Sequence, residues 1–439
     1  MNIGFKTIKK LMFVIIVTVP ALLTAQDYTL KQAQDYAVDH YYQAVNSGLD
    51  IKKSKSKIWE ITAMGLPHID AAASYRYAAD LEFDFPPGTV DGFMAAFAAD
   101  NISQGKLSAS QIIFDGSYIV GLQAAKKFFQ FSKFEKEKTD NDVRSMIASS
   151  YYLVLVADEN IKVLAGSFAN IESSIKEMTA LVEQGFTDET ELDQLQLMKS
   201  DLESSIQSAN QSQSVAKQML KLNMGLEVSK TIGLSDSLVG IVDLISIEAL
   251  AGQQFDAANN PNLKALSSQR DLLGLDVKRY KAQRLPRVAA FYQYQNTAYQ
   301  FEWDWFQDAS WYDAQNVGVN ISIPILSSGQ QGAVINQAKL ELTKMENVLT
   351  YAQSAMGIQF MNAINGLNSK HANYQNSEKS LKIAQKIYNR TEIKHQEGMA
   401  SSFELSQMKT QVLQSQGKYI QSLFNLLNAK AELDKLQNK

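Results

Sequence analysis

The sequence predicts a mainly α-helical chain that also supplies strands to a membrane β-barrel. It reads as two structural repeats of helix, strand, strand and long broken helix. Three observations predict this. A stretch near 111–223 recurs near 324–436 at a constant offset of 213; alternating apolar segments precede each copy; and an apolar heptad seam runs through the first copy. A period held over that distance marks internal duplication.

The offset is visible residue by residue. Gly116 pairs with Gly329, Ala125-Lys126 with Ala338-Lys339, and Gly185 with Gly398. Beyond the last glycine, Glu191-Leu192-Asp193-Gln194 pairs with Glu404-Leu405-Ser406-Gln407. The fronts of the copies match at an offset of 219, where Leu66-Pro67-His68-Ile69 pairs with Leu285-Pro286-Arg287-Val288. The chain therefore divides into a leader (1–25), a first repeat (26–223), a linker (224–260) and a second repeat (261–439).

Lys6, Lys9 and Lys10 precede the apolar run Leu11–Leu23, followed by Thr24-Ala25-Gln26. A basic start, a short apolar core and a small residue at the cut read as a secretory signal peptide. The run is shorter than the ~20 residues a spanning helix needs. Losing those three lysines takes the formal charge from −4 to −7.

Residues 29–65 carry a helical pattern that ends before Pro67. Ile69, Ala71, Ala73, Tyr75 and Tyr77 then alternate with polar positions, which is a strand signature over 68–79. A loop with Pro86-Pro87-Gly88 and scattered aromatics fills 80–104, and a weaker strand follows at 105–114. At the offset of 213, its Leu107 and Ala109 miss the face of Val319 and Ile321. Either a one-residue slip lies there or the first hairpin is irregular.

From Ser117 to Glu183 no proline interrupts. Val143, Ile147, Val154, Ala157, Ile161, Leu164, Phe168, Ile171, Ile175, Met178 and Val182 step by threes and fours, with Ser150 as the polar break. That is a heptad seam. A rod of this length spans ~100 Å at 1.5 Å per residue, which no single globular core requires. Gln184-Gly185 breaks it, and a returning helix carries Leu192, Leu195, Leu202, Ile206, Ala209, Ala216 and Leu220.

The second repeat starts at Pro261, with strands near 287–296 and 315–325 around an aromatic loop at 296–314. Ser327-Ser328-Gly329 turns into a second rod, and after Gly398 the returning seam runs from Leu405 to Leu436. All seven prolines fall outside the rods, as an uninterrupted helix requires.

Each chain thus offers four strands of bilayer-crossing length. Four strands cannot close, and an open edge in lipid leaves backbone groups unpaired at several kcal/mol each. Three chains supply a 12-stranded barrel with a water-filled interior, and the helix pairs below it close a hollow cylinder. Aromatic residues in the two strand-connecting loops suit the membrane–water boundary.

Chemistry is absent from the pattern. The chain has no cysteine and four scattered histidines, His40, His68, His371 and His395. None has a second ligand at helical spacing that would build a metal site. No phosphate loop or serine-nucleophile motif occurs, so no catalytic residue, metal or cofactor is expected. No basic patch with interleaved aromatics points to nucleic acid.

The doubled plan, with Gln111-Ile112-Ile113-Phe114-Asp115-Gly116, Ile323-Pro324-Ile325, the turn glycines with their Glu-Leu-x-Gln sequels, and Leu222-Asn223-Met224-Gly225-Leu226, resembles TolC-type outer-membrane efflux proteins over nearly all of 28–436. The resemblance implies a homotrimer with its barrel among outer-membrane lipids and a helical tunnel crossing the periplasm. It implies docking of the Gly185 and Gly398 turns to a periplasmic adaptor, and work with an inner-membrane transporter of the RND or ABC type. The duct would carry small molecules such as drugs, detergents or metabolites. Protein secretion through the same kind of exit is the alternative within the family.

In that family, acidic residues after the turn glycines ring the periplasmic entrance. The matching positions are Glu404 and Gln407 in the second repeat, and Glu191 and Gln194, with Asp188 and Asp193 adjacent, in the first. Only the nearer position of each pair is acidic. Asp188-x-x-Glu191 and Ser401-x-x-Glu404 also read as N-terminal capping boxes, and a glutamate there can serve both roles. The family's Tyr–Arg latch positions hold His395 and Ala400 here, so that latch does not transfer. A secreted coiled-coil scaffold without a pore is the rival reading, and the paired lipid-length strands argue against it.

Overall fold

The computed structural model describes residues 26–77, 99–243, 253–300 and 311–438. The leader expected at 1–25, and most of the aromatic loops expected at 80–104 and 296–314, lie outside the described residues.

In chain order the elements are β1 (Gln26–Tyr28), α1 (Leu30–His40), α2 (Tyr42–Ala63), β2 (His68–Tyr77), β3 (Asn101–Phe114), α3 (Gly116–Glu183), α4 (Glu189–Met224), β4 (Ile232–Leu234), α5 (Leu238–Asp243), α6 (Pro261–Ala282), β5 (Arg287–Gln300), β6 (Trp311–Ser322), α7 (Gln330–Gln396) and α8 (Ser402–Gln437). The offset of 219 carries α2 onto α6 end for end, and the offset of 213 carries α4 onto α8 in the same way. Both rods are present: α3 has 68 residues and α7 has 67.

Several expectations need correction. The helix read as one over 29–65 is broken at Tyr41, whose ψ of 130° is extended and ends α1. At the offset of 219, the described residues 253–259, which match the end of α1, form no helix. The strand expected at 105–114 begins at Asn101, and the one expected at 287–296 reaches Gln300. The strand expected at 315–325 runs instead from Trp311 to Ser322. Pro324 has no N–H to contribute to a ladder. The first strand stops at Tyr77, so its expected end at 78–79 lies outside the described residues.

The four long strands form one antiparallel sheet in the order β2-β3-β5-β6. Paired residues share a face. One face collects Ile69, Ala71, Leu107, Ala109, Val288, Ala290, Val317, Val319 and Ile321. The other collects Asp70, Ser74, Gln104, Ser108, Gln293, Gln295, Asn316 and Asn320. Among the described residues the apolar face is largely open, and Val317 is 84% exposed.

The one-residue slip is real. Register holds from Asn101↔Gln300 to Ile112↔Ala289, then shifts so that Phe114 pairs with Val288. The extra residue is Ile113, a β-bulge that moves Phe114 onto the apolar face just before the rod starts. Asp115 then caps α3, accepting from the Ser117 and Tyr118 amides at 2.8 and 3.1 Å, and pairs with Arg287 at 3.2 Å.

Each strand continues into, or out of, a helix, so the helices inherit the sheet order. α2 packs on α3, α3 on α6, and α6 on α7. Farther down, the largest core gathers Ala33, Ala37, Ile147, Tyr151, Leu220, Met224, Leu367, Leu426 and Leu433 around the ends of α1, α4 and α8. There β1 lies parallel to β4, and the Tyr151 hydroxyl donates to the Tyr28 carbonyl at 2.8 Å. Below this girdle, among the described residues, two helix pairs continue, α3 with α4 and α7 with α8.

Gly225 ends α4 at φ +75°, and an added Cβ would lie 2.5 Å from the His40 carbonyl oxygen. Gly225→Ala should therefore cost more than the ~1 kcal/mol of a strained but uncrowded glycine. Urea unfolding should show a larger loss than for Gly185→Ala, where φ is the same and the space is open; equal losses would contradict the packing.

Candidate functional site at the helix turns

The two rods end in the same way. Gly185 and Gly398 adopt φ of 75° and 72°, a left-handed conformation that glycine takes without a Cβ clash. Phe186 donates its amide to the Leu181 carbonyl at 2.9 Å, and Met399 donates to Lys394 at 2.8 Å. These bonds reach back across the glycine to satisfy carbonyls that the helix leaves open. The chain then re-enters a helix at Asp188 or Ser401.

The caps differ in detail from the expected boxes. Asp188 accepts from the Thr190 amide at 2.9 Å and its hydroxyl at 2.8 Å. The Glu191 carboxylate accepts instead from the Thr187 hydroxyl at 2.9 Å. In the second turn, Ser401 Oγ accepts from the Glu404 amide at 3.2 Å, which is the forward arm of a capping box. Glu404 itself is exposed, as are Asp193 and Gln407, while Glu191 and Gln194 are half-buried. His395, at the old latch position, bonds the Ala400 carbonyl through Nδ1 at 2.9 Å and so closes its own turn.

The hairpins meet within one chain. The Ser406 hydroxyl lies 3.1 Å from Met198 Sδ, and Leu413 packs against the Ile171–Met178–Leu195–Leu202 cluster of the first hairpin. The lower end of the molecule therefore presents two adjacent turns, with Asp188, Glu189, Glu191 and Asp193 on one and Glu404 on the other. Phe186, Met399 and Phe403 stand exposed at the tips.

Sequence reading missed a charged layer above the second turn. Lys409 is only 4% exposed, with its Nζ 4.8 Å from the centre of the Tyr388 ring, a cation–π contact. The Tyr388 hydroxyl donates to Glu392 at 2.9 Å. Burial pulls the Lys409 ammonium below its usual range, opposed by Glu392. Burial and then Glu392 push the Tyr388 phenol up. At the offset of 213 the first hairpin has Gln196, Ile175 and Thr179. That comparison was the available signal.

Among the described residues, no group of three or more His, Cys, Asp or Glu could hold a metal, and no helix is long and apolar enough to cross a membrane.

The family model described as outer membrane efflux protein matches residues 256–439. None of the curated proteins matches the chain. Among solved structures, the chain is similar to CusC (TM-score 0.74, 13% identity), covering 95% of this chain and 97% of that one. It is similar to the CmeC outer membrane channel of Campylobacter jejuni (TM-score 0.72, 16% identity), covering 93% and 85%. The outer membrane protein VceC of Vibrio cholerae gives 0.70 at 13% identity, covering 93% and 96%.

The Thr190 amide, and next its hydroxyl, hold the Asp188 carboxyl below the usual carboxylate range. A depressed carboxyl stabilises the fold above its unfolded value of ~3.9 and loses that contribution as pH falls through the lower folded value. Amide exchange at Thr190 should thus be faster in Asp188→Ala than in the parent at pH 7. The difference should vanish in acid below the folded value; matching rates at pH 7 would refute the cap. The chain thus shares the fold of these outer-membrane channels along its length, and its second repeat matches the outer membrane efflux protein family model.

Proposed function

We propose that the chain is the outer-membrane duct of a tripartite efflux system, a homotrimer whose twelve strands close a barrel and whose helix pairs form the periplasmic tunnel. The observation that carries this is the matching of two unfinished edges. The sheet ends in β2 and β6, and the helix row ends in α2 and α7. Copies related by rotation can join β6 to β2 and α7 to α2 at one stroke, a head-to-tail contact that closes only as a ring.

The helical edges carry the apolar surface such a joint needs. Tyr42, Val45, Leu49 and Trp59 stand exposed on α2, and Leu340, Val348, Tyr351 and Ile358 on α7. Val45 lies eighteen residues before the end of α2, and Val348 eighteen residues after the start of α7. Both therefore sit ~27 Å below the barrel.

At the other end, the exposed Phe186, Met399 and Phe403 offer an apolar crown to a periplasmic adaptor, with Gly185 and Gly398 shaping it. The acidic residues after each glycine set the charge of the opening, and an inner-membrane pump supplies the driving force. Small molecules are the cargo in this reading. The rival scaffold has no use for a sheet with one bare apolar face.

A Val45→Cys, Val348→Cys variant, made in a chain with no native cysteine, should oxidise to a covalent trimer extractable only with detergent. A monomeric, water-soluble product would remove the duct from consideration. In planar bilayers, Glu191→Gln with Glu404→Gln should lower the preference for cations over anions. Unchanged reversal potentials would leave these glutamates without a part in ion selectivity.

A further inference from the structure

We propose that the polar face of β5 is a recognition track for uncharged, hydroxyl-bearing solutes with a flat apolar face, of which sugars are the simplest kind. This rests on the reading of the sheet as one third of a barrel with its polar face inward.

Alternate residues of a strand share a face, so Phe291, Gln293, Gln295, Thr297 and Tyr299 line up along β5. They are joined side chain to side chain. Gln293 Nε2 donates to Gln295 Oε1 at 3.2 Å, and Gln295 Nε2 donates to Thr297 Oγ1 at 3.0 Å. A carboxamide has two N–H donors and an oxygen with two lone pairs. The ladder engages one donor of each amide, and with this face inward in a barrel the remaining capacity would be open to a solute.

Aromatic rings close both ends of this run. On the helix side, Phe291 reaches over Gly318, where an added Cβ would sit 2.9 Å from the ring's Cζ. On the far side, Tyr299 and Tyr312 hold their ring centres 6.1 Å apart at 52°. Among the residues paired directly with the track on β3 and β6, Lys106 alone is charged; it lies opposite Gln295.

The chemistry selects what would dwell there. An ion surrenders strong hydration and gains from β5 itself only neutral dipoles, with Lys106 the one charge paired directly beside them. A hydroxyl exchanges a bond to water for a bond to an amide at little net cost, while an aromatic face receives the apolar side of a ring. Each contact is weak and the next lies one step along the strand, which permits binding and onward passage together.

The test is block of ionic current through the detergent-purified full-length assembly in planar bilayers, with maltose as neutral probe and lactobionate as its anionic counterpart. Maltose should reduce the current at millimolar concentration, and lactobionate should do so far less. Gln293→Ala with Gln295→Ala should raise the half-blocking maltose concentration about tenfold. Gln293→Asn with Gln295→Asn, which keeps the amides but breaks their spacing, should raise it as well, and unaltered open-channel conductance would show the wall intact. A conducting channel that maltose does not block, or block unchanged in both variants, overturns the track. Equal block by lactobionate overturns it in favour of Lys106 as the binding group. A chain that never conducts defeats the duct reading, and the track with it.

Discussion

Backbone pairing at the two ends of the sheet governs everything else in this molecule. β2 and β6 each have one neighbour in the chain and need another. In hydrocarbon each missing bond is worth several kcal/mol, far beyond what side chains along a ten-residue edge could offset. In the proposed duct a second copy is therefore part of the fold rather than an addition to it. Four of the helices obey the same constraint, because α2, α3, α6 and α7 each adjoin a strand of the sheet and pack in its order.

Duplication makes that arrangement achievable with one gene product, yet the copies are not equal. The first rod begins with a charged cap, Asp115 held by Arg287. The second begins with Ser328 and Gly329, both at positive φ. The first hairpin has a seam of Ile171, Met178, Leu195 and Leu202, whereas the second interrupts its seam with Lys409. Burying an ammonium costs several kcal/mol unless it is compensated, and here an aromatic face supplies the compensation. The α7–α8 pairing is thus the less purely hydrophobic of the two.

Much of this could be read from the sequence, for identifiable reasons. The turn glycines declare themselves because only a residue without Cβ takes φ near 75° freely, and their common offset exposes the repeat. The rods declare themselves through sixty-odd residues of uninterrupted periodicity. Strand ends were harder. Thr297, Ala298 and Tyr299 do not alternate apolar with polar, yet Thr297 and Ala298 pair with Tyr312 and Trp311. The break at Tyr41 leaves no proline or glycine behind, and Lys409 looks like any lysine on a polar helix. Its burial comes from Tyr388 and the neighbouring helix, which a linear pattern does not bring together. The site residues were legible as chemistry after a glycine, but which hydrogen bond each makes was not: Glu191 turns to Thr187 rather than back to its own cap.

The bulge at Ile113 has an evolutionary consequence. It inserts one unmatched residue between the first repeat's strand and its rod, so side-chain phase in the sheet and rotational phase along the rod are reconciled differently in the two halves. A crossover that replaced one strand-and-rod unit with the other would turn the grafted helix by ~100° relative to its neighbours, moving its seam off the interface. The halves repeat one plan without being interchangeable parts.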